Sequence, residues 1–198
     1  MQTHSPATRS PLALGGILGP AAFIGAWAVG ATRIPGYSMV DDAISRLGAV
    51  HAPTRLLMSA GFVSFTVGVG AFSLALRERI PGPAWIAAAT TAVATLGVAA
   101  FPLDHSKTVD LAHGVWATLG YLSLAVTPLL ASGPLRSLGL PRAAAASRAV
   151  AAFSAVCLAA TAAGPAHGLF QRLGLTAADA WLAVAAGAIL AGRLEPAA

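Results

Sequence analysis

Six apolar runs, each bounded by charge, proline or glycine, govern what this chain can become. They lie near residues 14–31, 56–76, 84–101, 111–131, 149–166 and 178–190. A hydrocarbon core of about 30 Å calls for about 20 predominantly apolar residues per helix, which most of the runs approach. The sixth is short and begins beside Asp179, so an earlier start stays open. Only 10% of the 198 residues are charged and mean hydropathy is +0.74, against roughly 25% charged residues in a soluble domain. Too few charges remain to cover a water-facing surface. The expected fold class is all-α: one polytopic transmembrane helical bundle over residues 1–198, with six spans and a short tail at residues 1–12.

The first run follows Arg9 and contains Ala26-Trp27-Ala28, which has the form of a small-x-small cleavage site. Its apolar stretch exceeds the core of a signal peptide, so it reads as a retained helix. Gly19-Pro20, Pro128 and Gly164-Pro165 mark kinks or span ends, tolerated in lipid because neighbouring helices satisfy the freed carbonyls. Runs of alanine such as Ala87 to Ala89 and Ala159 to Ala160 let helix backbones approach closely.

With six spans both termini share one side of the membrane. That side carries Arg9, Arg77, Arg79, Arg136, Arg142, Arg148 and Arg193, and the other carries Arg33, Arg46, Arg55, Lys107 and Arg172. The excess of basic residues on the first side predicts both termini in the cytoplasm of a multi-pass cell-membrane protein. Trp27, Trp116 and Trp181 fall near the expected outer ends of their spans, as an interfacial belt would place them. The net charge of +5 is scattered singly along the chain, which argues against a nucleic-acid footprint. The single cysteine, Cys157, can form neither an intramolecular disulfide nor a thiolate cluster.

Polar chemistry is distributed unevenly. The second and fourth loops are plain connectors, whereas the first, third and fifth hold Tyr37, Ser38, Asp41, Asp42, Ser45 and Arg46, then Asp104, His105, Asp110 and His113, then His167, Gln171 and Arg172. On the expected topology all of these meet at the outer face. Asp110 and His113, three apart, share one helix face, with Asp104 preceding them and His167 arriving from the fifth loop. Asp104, Asp110, His113 and His167 are thus the candidate catalytic residues. His105, His113 and His167 are candidate zinc ligands that would leave a coordination position open for water; without a HExxH-type motif the same residues also read as an interfacial hydrogen-bond network that caps helix ends. A haem held by His113 and His167 ranks lower, since no second matched pair exists.

Ser45 lacks a nucleophile elbow and, with Asp41 or Asp42, reads more simply as a cap of a short interfacial helix, with Arg46 as partner to those acids. Tyr37 follows a Pro-Gly turn and is an interfacial aromatic or a proton donor. Arg172, beside Gln171, either holds a phosphate or carboxylate head group or snorkels to the interface. Tyr37, Asp42, Ser45, Arg46, Gln171, Arg172 and Trp116 make up the candidate substrate-binding set.

Pro-Gly-Tyr-Ser at 35–38 with Ile-Ser-x-Leu-Gly at 44–48, Phe-Pro-x-Asp at 101–104 with His-Gly at 113–114, and Gly-Leu-x-x-Arg at 168–172 resemble, in order and in placement, the bacterial integral-membrane family known as domain of unknown function 998. The resemblance runs from Leu14 to Leu194. It implies a membrane protein of six or seven helices and supplies no catalytic residue.

Three functions compete. The first is an enzyme acting on a lipid or other hydrophobic substrate from the bilayer, by metal-assisted hydrolysis or by metal-free, proton-initiated cyclisation of an isoprenoid with aromatic faces shielding the cation. The second is a small-molecule transporter, disfavoured because no ionisable residue lies at the centre of any of the six runs as drawn. The third is a non-catalytic accessory or sensor. The concentration of ionisable groups on one face favours the enzyme, with no cofactor required unless zinc is bound.

Overall fold

A computed structural model describes residues 10–194; Arg9, Glu195 and most of the expected N-terminal tail lie outside them. Six helices build the fold: α1 (Gly15–Ala31), α2 (Arg55–Arg79), α3 (Ala84–Ala100), α4 (Lys107–Ser137), α5 (Pro141–Ala163) and α6 (His167–Leu190). Short 3₁₀ turns at Pro11–Leu14 and Ile44–Gly48 complete it, and no strand occurs among the described residues. Counting the Pro11–Leu14 turn with α1, five helices are long and apolar enough to cross a membrane, and α3 is a shorter apolar sixth. The all-α bundle and its apolar helices are as the sequence predicts.

The sixth span requires a correction. It begins at His167, not near residue 178, so the expected fifth loop from His167 to Arg172 is the opening of α6. Asp179 then falls near the middle of the helix rather than at its edge. The sequence misleads here because Gln171, Arg172 and Asp179 look like loop residues, yet all three are buried against other helices. The fourth and fifth helices also overrun their apolar runs, α4 from a cap in which Ser106 Oγ accepts the Val109 N–H at 3.3 Å, and α5 from Pro141, whose fixed φ suits a first turn.

Consecutive helices pack side by side and α6 returns to α1, closing a ring. The α1–α2 crossing is the tightest: a Cβ on Gly68 would stand 2.7 Å from the Gly15 carbonyl oxygen, the small-residue contact that lets membrane helices gain dispersion energy. Outside, Leu18, Leu56, Val67, Leu111, Val156 and Val184 are exposed. Inside, Thr91, Thr127, Ser147 and Ser154 are buried, with hydroxyls turned onto helix carbonyls, as Thr127 to Ser123 at 2.8 Å. Apolar side chains facing out and hydroxyls facing in suit a hydrocarbon solvent. Trp181 belongs to this interior rather than to an interfacial belt: its indole N–H donates to Ser147 Oγ at 2.8 Å.

The half of the bundle toward the second and fourth loops is solid, with Phe72, Leu76, Ile80, Leu182 and Ile189 fully buried. The other half is where the ring opens inside.

Candidate functional site

The first loop, residues 32–54, folds over the end of the ring and is fastened to the first turns of α6. The Leu169 N–H donates to the Val40 carbonyl at 2.9 Å, and the Ile44 N–H donates to Gln171 Oε1 at 2.8 Å. Gly168 is required by this approach, since a Cβ there would lie 2.4 Å from the Asp42 carbonyl oxygen. Arg172 secures the rest. Its Nη1 donates to the carbonyls of Met39, Asp42 and Gly168, each at 2.9 Å, and its Nη2 donates to the Tyr37 hydroxyl. The guanidinium carbon sits 5.3 Å from the Trp27 ring centre and 5.6 Å from that of Tyr37, within the range of cation–π attraction. The cation is therefore neutralised by carbonyl dipoles and ring faces; among the described residues no carboxylate pairs with it. Burial raises the Tyr37 phenol above its usual pKa, with Arg172 opposing the rise.

Beneath this cover the ring encloses a cavity of about 40 Å³, space for roughly two or three waters. Ile44 and Ser45 of the 3₁₀ turn roof it, Phe23, Phe62, Phe65 and Tyr121 wall it, and Asp179 lies at its depth. Asp179 is 2% exposed and its Oδ1 has no hydrogen-bond partner. The neighbouring hydroxyls are committed elsewhere, Thr91 to the Ala87 carbonyl at 3.0 Å and Thr95 to the Thr91 carbonyl at 2.9 Å. Tyr121 receives a hydrogen bond from Gln171 Nε2. One glutamine thus holds both the roof and an aromatic wall.

The sequence-derived candidates divide. Ser45 reaches the cavity, and Tyr37, Gln171 and Arg172 hold its cover. Asp42, Arg46 and Asp104 line a separate shallow pocket above the 3₁₀ turn, together with Tyr37 and His51. Asp42 accepts the Ser38 N–H at 2.8 Å. The 3₁₀ turn has no side-chain cap, so the expected capping by Asp41, Asp42 or Ser45 is not seen. Arg46 faces Asp104 at 3.6 Å rather than Asp41 or Asp42. Asp110 accepts the Asp104 N–H at 3.0 Å. Trp116 packs on Gly97 of α3, where a Cβ would stand 2.3 Å from the indole.

The three histidines do not converge. His105 and His167 are exposed, while His113 is buried with Nδ1 2.7 Å from the Phe101 carbonyl oxygen. Among the described residues no group of three or more His, Cys, Asp or Glu is placed to hold a metal ion. His113 is turned into the helix packing, His105 lies in the third loop and His167 opens α6, so the structure does not bring the expected His105, His113 and His167 zinc set together.

The residues missed from sequence are Asp179 and Tyr121. A signal for the first existed: Gln171, Leu175 and Asp179 are spaced i, i+4, i+8 on one helix face, and drawing the span from residue 178 hid it.

The family model described as protein of unknown function (DUF998) matches residues 17–188. No curated protein and no solved structure matches the chain.

Proposed function

The chain belongs to the DUF998 family of proteins of unknown function, and from that premise we propose a membrane-embedded enzyme that acts by general-acid chemistry on a hydrophobic substrate of isoprenoid type. The observation that carries this reading is Asp179, a buried carboxyl with an unpartnered oxygen in a cavity walled by aromatic rings. Ionisable groups inside a membrane bundle are costly and are functional candidates by default. The closed cavity of about 40 Å³ admits only water-sized molecules, so the substrate enters as the Ile44–Ser45 roof moves aside; the carboxyl then gives its proton to one carbon of an alkene, whose π pair becomes the new C–H bond and leaves a tertiary cation. A second alkene closes on that cation with its own π pair. A proton lost from the adjacent carbon to the carboxylate restores both the alkene and the acid. The product is an isomer of the substrate, so no oxidant or co-substrate enters the balance. Phe23, Phe62, Phe65 and Tyr121 offer ring faces to the cation.

The test is deuterium uptake. Purified protein in liposomes is incubated in heavy water with geranylgeraniol, and carbon-bound deuterium in the product is read by mass spectrometry. Wild type should incorporate deuterium, and Asp179→Asn, nearly isosteric, should lose at least about 100-fold of the rate. Equal rates would sink the assignment, as would no uptake by either protein.

A second reading, proton-coupled transport of a small molecule, is favoured by the position of Asp179 near mid-helix and by Pro20 and Pro128 inside α1 and α4. These meet the requirement for a mid-span acid and interrupted helices. Solute flux that follows an imposed pH gradient, stops in Asp179→Asn and leaves no deuterium on carbon would select it.

A further inference from the structure

Tyr121 walls two spaces. Its inner side borders the Asp179 cavity, and its outer side borders a groove of about 680 Å³ between α4 and α5. Apart from Tyr121 the groove is made of Ala, Leu, Val and Thr, with one charged side chain, Arg148, toward the end nearer the fourth loop. Arg148 is exposed and pairs with no carboxylate among the described residues. Along α5 the groove runs from Arg148 to Ala162, a rise of about 21 Å. That exceeds the roughly 15 Å half-thickness of a hydrocarbon core. A single extended chain of about the groove's length would lie along it.

We propose that this groove binds one long-chain prenyl phosphate, with the phosphate on Arg148 and the chain running along α4 and α5 toward Tyr121. Charge complementarity sets the orientation, because guanidinium binds phosphate bidentately and nothing else in the groove is charged. Ala151, Ala155 and Ala159 line the groove with small side chains. The proposal deepens the general-acid reading by naming the substrate class: the phosphate stays remote, and an alkene within the chain passes Tyr121, one side chain away from the Asp179 cavity. Binding itself does not depend on the chemistry.

The experiment titrates the purified full chain in detergent with geranylgeranyl phosphate and counts bound molecules by native mass spectrometry. One molecule per chain is expected. Arg148→Gln and Ala155→Trp, both at exposed groove positions, should each weaken binding at least about ten-fold. Arg142→Gln, near the same end but outside the groove, should bind as wild type. Unchanged binding in both Arg148→Gln and Ala155→Trp overturns the proposal. So does displacement by an equal concentration of phosphatidylglycerol or by inorganic phosphate, or a wild-type dimer that Ala155→Trp converts to monomer. Binding that follows these expectations without deuterium uptake keeps the groove and removes the general-acid reading; deuterium uptake from geranylgeranyl phosphate at a rate unchanged in Arg148→Gln does the reverse.

Discussion

Gln171 accepts the backbone N–H of Ile44 at 2.8 Å, joining positions 127 residues apart in sequence. The same side chain donates to Tyr121, so the roof of the Asp179 cavity and one of its walls hang on a single amide.

Replacing it should loosen both. Gln171→Leu leaves the Ile44 N–H and the Tyr121 hydroxyl without their partner, at a cost of about 1–3 kcal/mol. Thermal unfolding in detergent measures the loss. Hydrogen exchange at the Ile44 amide should accelerate more than exchange in α2, and equal acceleration would show that the contact is not local.

Arg172 is not exchangeable for lysine. A lysine ammonium can reach some of the carbonyls of Met39, Asp42 and Gly168, but it has no fork with which to reach the Tyr37 hydroxyl at the same time. Arg172→Lys should cost about 2 kcal/mol and expose the 32–54 loop to limited proteolysis while α1 and α2 stay protected. A head-group-binding Arg172 would instead tolerate lysine in stability and change only ligand affinity.

Asp104 adopts φ of 65°, a left-handed conformation that glycine takes without strain and aspartate at a modest cost. Its ion pair with Arg46 joins exposed side chains and contributes at most about 1 kcal/mol. Asp104→Gly should therefore unfold within about 1 kcal/mol of wild type and keep its deuterium uptake. A hundred-fold loss of uptake with an unchanged unfolding temperature would return the catalytic role to the loop face.

Tyr37 gives the protein an alkaline limit. Its phenol pKa is raised in the folded state, so the folded chain holds that proton more tightly than the unfolded one. The resulting stability is full below the ordinary tyrosine pKa of about 10 and is lost as pH climbs through the higher folded value. Unfolding followed against pH should show a fall above about pH 10 that Tyr37→Phe reduces, together with a constant loss at neutral pH from the missing Arg172 acceptor.

The bundle was legible in sequence because bilayer thickness imposes a length on every apolar run and leaves charge no place along it. Six runs, the loop residues from Pro35 to Gly48 and the family pattern could all be read without coordinates. The span ends could not, since helices continue past the apolar run wherever a neighbour buries their polar residues, as α6 does from His167 to Asp179. For the same reason the sequence pointed to the loop histidines and acids and passed over Asp179, which lies deeper. Composition determined that the chain lives in lipid and that its few charges must be spent deliberately. Which charges face inward was decided only by tertiary packing, because rotating α6 against α1 and α4 is what turns Gln171, Arg172 and Asp179 from a polar edge into the cover and depth of a cavity.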